Sequence, residues 1–386
     1  MITPVDQPTD PGTRPEAAGA RLIANPLVDR GRVQPAAPRC VAFHASLPGF
    51  AATPVDDAPG AAEQLGVARV LVKRETERLG LPSFKILGAS WAVCRELAHR
   101  WNLGDAAGVG FPQLKDAATA HPELVLVAPT DGNHGRAVAR MARLLGLRSI
   151  VLVPAGTVAA RKEGIASEGA QVIETTGDYD QTVAQAAAME DGVHAVISDT
   201  SWEGYTRAPA DVIEGYATMM AEVVEAIDGG LIPEPTVVTA QIGVGGLAAA
   251  VARGFAARPA RLLVGVEPTS ADCVTASMEA GHIVTSPGPQ TSIMAGLNCG
   301  TPSAIAWPDV SAGFDAMSVI DDQAAAEAMR LLHRDGIDAG ESGAAGLAGL
   351  LAHADVLELR PTDVVLVVVT EGPTDPINHR RIVDGN

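Results

Sequence analysis

Three short segments hold residues whose types and spacing suit one small, charged ligand. The first is "LGLPSFKILGASWA", in which Lys85 stands between a strand-like and a helix-like stretch, with Phe84 and Ile86 beside it. An amine among apolar neighbours loses hydration, which disfavours its ammonium form and leaves it able to capture an aldehyde. The second is "PTDGNHGRAVARMARLLG", where a strand ends and the turn from Thr130 to Gly135 opens a helix. Asn133 offers an amide to a ring hydroxyl, and Asp131 sets a carboxylate at the rim of the same turn. The third is "QIGVGGLAAAVARG", with Gly243, Val244, Gly245 and Gly246 between a strand and a helix. Backbone N–H groups in such a loop, together with the helix N-terminus, are expected to wrap a phosphate.

Each segment alone also has a plain structural use. A lysine can start a surface helix, "DGNHG" can be a turn with an N-cap, and glycines make tight turns. The full dinucleotide fingerprint is lacking around the glycine loop. Taken together, the segments ask for an aldehyde, a ring hydroxyl and a single phosphate. Pyridoxal 5'-phosphate carries these three groups. Lys85 is then the expected covalent anchor, and Asn133 with Gly243, Val244, Gly245 and Gly246 the expected cradle.

The elements that must position these residues alternate along the chain. Strand-like runs such as "VARVLVKRE", "ELVLVAPT", "SIVLVPAG", "QVIETTG", "HAVISDT", "TVVTAQIG", "RLLVGVEP" and "DVVLVVVTEG" are separated by helical stretches. Short Val/Ile/Leu runs flanked by helices signal parallel α/β units. The expectation is an α/β, two-lobed, three-layer fold with mostly parallel sheets. Residues 1–40, rich in Pro and polar side chains, read as an extended or partly mobile arm. Segments 41–87 and 206–386 are expected to form a large lobe, with 88–205 inserted as a small one. No short-period repeat is found, so a solenoid is not expected.

Composition narrows the partners. The 386 residues are 47% hydrophobic and 19% charged, with a formal net charge of -18. That is a globular composition, long enough for two lobes sharing a large core. So acidic a chain repels phosphate backbones and anionic lipid, so nucleic acid and membrane are not expected partners. No run of about 20 apolar residues offers a span, and the N-terminus lacks the pattern of a signal peptide. The expected compartment is the cytoplasm. Cys40, Cys94, Cys273 and Cys299 show no metal-ligand spacing, so no metal is expected and the thiols default to burial. Cys273 and Cys299 would meet if their loops are adjacent.

With these motifs in place, the chain resembles the tryptophan-synthase-β-like (fold type II) pyridoxal-phosphate enzymes, and within them the diaminopropionate ammonia-lyase family. The segments "FHASLPGFAATPV", "SFKILGAS", "TDGNHGRAVA", "DTSWEGYTRAPADVIEGYATM", "IMAGLNCGTPSAIAW", "GESGAAGL" and "TEGPTDP" carry the resemblance, in the family's order, from about Phe43 to Pro376. It implies a carbon–nitrogen lyase that eliminates the β-amino group of 2,3-diaminopropionate to give pyruvate and ammonia. It implies Lys85, Asp131 and Asp199 as catalytic residues, the two aspartates abstracting the α-proton of opposite substrate enantiomers. It places Thr370 near the pyridine nitrogen, and it implies a homodimer. Asp131 stands where serine and threonine dehydratases carry a small residue. Pro82 departs from the family, many members having Asn there. The readings left beside this one are a serine or threonine dehydratase, a β-replacement enzyme and a non-catalytic pyridoxal-phosphate-binding protein.

Overall fold

The computed structural model describes residues 20–130, 132–177, 179–258 and 260–385. Eleven strands among them form two sheets. In chain order they are β1 (Arg21–Ala24), β2 (Val55–Asp57), β3 (Arg69–Arg74), β4 (Val125–Pro129), β5 (Arg148–Val153), β6 (Gln171–Glu174), β7 (His194–Val196), β8 (Val237–Gln241), β9 (Leu262–Pro268), β10 (Ala316–Ile320) and β11 (Val364–Val369). The larger sheet runs β1-β10-β9-β8-β11-β3-β2, and the smaller runs β6-β5-β4-β7. All pairings in the smaller sheet are parallel. In the larger one only the two edge strands, β1 and β2, are antiparallel to their neighbours. The mostly parallel α/β expectation is met.

Strand alternation divides the core. In β11, Val365, Val367 and Val369 pack into one apolar cluster while Leu366 and Val368 pack into another. The first cluster joins β11 to helices Asp322–Arg334 and Glu341–Ala352. The second also holds Leu126 and Ala128 of β4, so it runs from one sheet to the other. Helices Lys85–Arg100, Asn133–Leu145 and Arg207–Asp228 lie in that shared layer. Strands covered on both faces favour apolar residues at every position, which is why β11 is a continuous Val/Leu run.

Helices Lys85–Arg100 and Arg207–Asp228 cross closely because each has a glycine at the contact. A Cβ on Gly88 would lie 2.5 Å from Tyr216 Cε1, and one on Gly215 would lie 2.5 Å from Leu87 O. The segment entering Lys85 is fastened as well. Arg78 and Leu81 exchange backbone hydrogen bonds of 2.9 and 3.0 Å across a tight turn. The fully buried Arg78 guanidinium donates to Glu75 at 2.9 Å, to Glu222 at 2.7 Å and to Ala51 O at 3.0 Å. Lys73 adds a bond of 2.6 Å to Glu222, so two cations balance two carboxylates. Burying one of these charges without the others would be strongly unfavourable.

Residues 21–24, part of the arm in the sequence reading, form the edge strand β1. Arg21 pairs there with Asp272 and Glu279, both at 2.7 Å. Cys40, Cys94 and Cys273 are buried thiols. No described helix is long and apolar enough to cross a membrane.

His44 ties the N-terminal segment to the two crossing helices. Its Nε2 donates to Leu87 O at 3.0 Å, and its Nδ1 accepts from the Thr218 hydroxyl at 2.7 Å. That pattern needs a neutral ring, and burial lowers its pKa to about 3. In the unfolded chain the imidazole titrates near its ordinary value of about 6.5. As pH falls below that value, the unfolded state takes up a proton that the folded state refuses, and stability drops. Between pH 7 and pH 5 the loss expected from His44 is about 2 kcal/mol. Urea unfolding of the wild type and of His44→Gln at both pH values measures it; an equal loss in both proteins would show that His44 is not the source.

Candidate active site

The C-terminal ends of strands from both sheets converge on one cleft. It spans about 760 Å³ of space, part of it open solvent, and its lining includes Lys85, Asn133, Asp199, residues 243–246 and Thr370. Residues from three motifs far apart in the chain thus line one cleft. Asp131 lies outside the described residues.

Lys85 is the first residue of helix Lys85–Arg100. The Phe84 N–H bonds Thr370 O at 3.2 Å, and the Gly372 N–H bonds Pro82 O at 2.9 Å, so the approach to Lys85 lies along the end of β11. Proline leaves that carbonyl in place. Lys85 Nζ is 2.7 Å from Asp199 Oδ2 and 5.6 Å from the centre of the Phe84 ring. Tyr216, with its ring centre 4.6 Å from that of Phe84, sits against the same amine.

Asp199 follows β7 and comes from the smaller sheet. Burial pushes its carboxyl up, but the Lys85 ammonium and His134 outweigh burial and hold it well below the usual carboxylate range. The carboxylate is therefore ionised at neutral pH. The Tyr179 hydroxyl donates to its other oxygen at 3.4 Å. His134 Nδ1 lies 3.9 Å from Asp199 Oδ2, while His134 Nε2 donates to Ile197 O at 2.8 Å.

Asn133 is the first residue of its helix. The Thr130 hydroxyl accepts from the N–H groups of Gly132 (2.9 Å) and Gly135 (3.1 Å), a side-chain cap that shapes the turn. Asn133 Nδ2 donates to Glu371 Oε2. The glycine loop leaves β8 and enters helix Gly246–Phe255. Gly245 has φ +106°, a left-handed conformation that disfavours any side chain. A Cβ on Gly243 would lie 3.0 Å from Gly296 O and 3.2 Å from Cys299 Sγ. The backbone there forms a concave wall, and a helix N-terminus opens onto the cleft, the arrangement an anion needs.

Thr370 is almost fully buried, and its hydroxyl accepts from Gln241 Nε2 at 2.8 Å. Gln241 Nε2 also reaches Ser342 O at 2.9 Å and Val368 O at 3.0 Å. The residues present fit pyridoxal 5'-phosphate: an amine for the aldehyde, an amide for the ring hydroxyl, a side-chain-free cradle for the phosphate and a hydroxyl at the far wall.

Sequence reasoning missed Glu371, Tyr179, Tyr216 and Gln241. A carboxylate straight after the apolar run "VVLVVVT" was a usable signal for Glu371, since charged residues at such positions are seldom buried without a partner. Tyr179, Tyr216 and Gln241 carried no local signal. The rings of Trp202 and Tyr205 stack with centres 3.9 Å apart, and Trp202 lines a neighbouring cavity that shares Tyr179, Val244 and Cys299 with the cleft.

Comparison with known proteins agrees with this geometry. The pattern of the family described as pyridoxal-phosphate dependent enzyme matches residues 47–371. The diaminopropionate ammonia-lyase of Escherichia coli K12 is 36% identical over 362 residues, covering 88% of this chain and 89% of that protein. The holo crystal structure of diaminopropionate ammonia lyase from Escherichia coli superposes with a TM-score of 0.86 at 33% identity, over 95% of this chain and 97% of that one. A crystal structure of the Escherichia coli enzyme in complex with D-serine gives 0.86 at 31% identity, over 95% and 98%. The fold is that of the fold type II enzymes. With the matched segment carrying the lysine, the amide and the glycine loop together, the chain belongs to the pyridoxal-phosphate dependent enzyme family, beside the diaminopropionate ammonia-lyases.

Proposed function

We propose that this chain is a pyridoxal-phosphate-dependent ammonia-lyase that eliminates the β-amino group of 2,3-diaminopropionate, giving pyruvate and ammonia. The observation that carries the reading is the Lys85–Asp199 pair inside a cleft whose other walls suit the cofactor. The identity to diaminopropionate ammonia-lyases over most of the chain supports the substrate.

Lys85 is proposed to hold the cofactor aldehyde, Asn133 the ring hydroxyl, Gly243, Val244, Gly245 and Gly246 the phosphate, and Thr370 the ring nitrogen. When bound, the cofactor withdraws electrons and so stabilises negative charge at the substrate α-carbon. Thr370 accepts a hydrogen bond from Gln241, which leaves its own hydrogen to donate. A donor there keeps a ring nitrogen unprotonated.

Asp199 is proposed to take the α-proton of one substrate enantiomer, and Asp131 that of the other. A carboxylate held low by a neighbouring ammonium is a weak base. Asp199 gains basicity once the Lys85 amine no longer carries charge beside it. The β-nitrogen leaves as ammonia after taking a proton, and the unsaturated amine that remains hydrolyses to pyruvate and a second ammonia. The complex of the Escherichia coli relative with D-serine supports an amino-acid substrate.

The division into lobes 41–87 with 206–386 and 88–205 is part of the proposal. It is supported by β4 to β7 forming their own sheet. A homodimer rests on the family likeness, and a cytoplasmic location on the N-terminal sequence, which lacks the pattern of a signal peptide.

Two measurements test the reading. Lys85→Ala should abolish the visible absorbance of the lysine-held cofactor and ammonia release together; a retained band would refute the anchor. Asp199→Asn should lower kcat by roughly 100- to 10,000-fold for one enantiomer of 2,3-diaminopropionate and far less for the other. An ammonia-release assay with both enantiomers and with serine decides. Faster turnover of serine than of either diamino enantiomer would overturn the substrate.

A further inference from the structure

Glu371 sits at the junction of the three chain segments that build the ring side of the cleft. It follows Thr370 at the end of β11 and is only 3% exposed. Its main chain forms a bridge pair with Ser83, two residues before Lys85, and its carbonyl accepts from the Gly340 N–H at 2.9 Å. One carboxylate oxygen accepts from Asn133 Nδ2, and the other accepts from the Ser342 N–H at 3.3 Å. Ser342 lies in the first turn of helix Glu341–Ala352, whose N-terminal dipole favours a negative charge.

A carboxylate accepts hydrogen bonds, whereas an amide has one donating and one accepting end. The contact therefore settles which way the Asn133 amide faces. Its nitrogen is held toward Glu371, and a flipped amide would set two oxygens against each other. With that nitrogen pinned, its second N–H is left to donate into the cleft that Asn133 lines with Lys85. An unpinned amide would sample both orientations and offer an anionic ring oxygen a repelling carbonyl part of the time.

We propose that Glu371 is a positioning residue that fixes the Asn133 amide as a hydrogen-bond donor to the cofactor ring. The inference rests on the reading of the cleft as a pyridoxal-phosphate site. Glu371 acts through Asn133, and the buried helix N-terminus behind it holds the carboxylate in place.

The test is a double-mutant cycle on cofactor affinity, titrating apoprotein with pyridoxal 5'-phosphate and following the absorbance of the bound form. Glu371→Ala should raise the apparent Kd roughly tenfold, the scale of one hydrogen bond to a charged group. The same change made on top of Asn133→Ala should add little. Glu371→Gln, which keeps the reach and one accepting oxygen for Asn133 but sets its own NH2 against the Ser342 N–H, should retain more affinity than the Ala variant, while Glu371→Asp, one methylene shorter, should behave like Ala. If the Ala variant does not fold, the Gln and Asp pair carries the same comparison. Equal losses in the presence and absence of Asn133, or identical affinities for Gln and Asp, would overturn the inference. Failure of the wild-type protein to take up the cofactor would instead overturn the functional reading beneath it.

Discussion

The cleft depends on one charge pair, the Lys85 ammonium against the Asp199 carboxylate at 2.7 Å. Each partner is mostly shielded from water, and an ionised group in such a place is costly without its counterpart. The pair also ties two layers, because Lys85 enters from the end of the larger sheet and Asp199 from the end of the smaller. Neither sheet can complete the site alone. The same attraction bears on the chemistry: the Lys85 amine and His134 hold the buried Asp199 carboxyl well below the usual carboxylate range.

The scaffold is arranged so that this pair meets without adjustment. The segment leading to Lys85 is anchored at its base by the buried Arg78–Glu75–Glu222–Lys73 cluster. It is held at its end by backbone bonds to residues 370 and 372. Helix Lys85–Arg100 is then seated by the close crossing at Gly88 and Gly215, where a single methyl group would force the helices apart. Rigid support of this kind suits the anchoring role proposed for Lys85, since small displacements of a reacting amine are costly to rate.

Several polar groups that line the cleft are linked in pairs and chains. Gln241 holds Thr370, Glu371 holds Asn133, and Thr130 caps the turn that presents Asn133. Each supporting residue consumes one hydrogen-bonding end of its neighbour and leaves the other end directed. Hydrogen-bonded links of this kind restrict the rotamers of the side chains they join.

Local patterning determined the element types, the parallel character of the sheets and three of the site's motifs. Val-rich runs with flanking helices announce buried parallel strands, and the turns at Lys85, Asn133 and Gly243 are short-range chemistry. The edge strand β1 and the supporting residues Tyr179, Tyr216 and Gln241 were not legible, and the position of Glu371 after an apolar run signals a buried carboxylate without naming its partner. Nothing in the spacing of β11 tells that this strand lies between β8 and β3 in the interior of the sheet. That position is what carries Glu371 to Asn133 across 238 residues, and the packing of the two sheets carries Lys85 to Asp199 across 114. The sequence by itself therefore determined which groups were available and the local turns that present them. Only the tertiary structure decided which of them touch, because hydrogen-bond partners far apart in the chain are chosen by sheet order and helix crossing, which no short-range periodicity encodes.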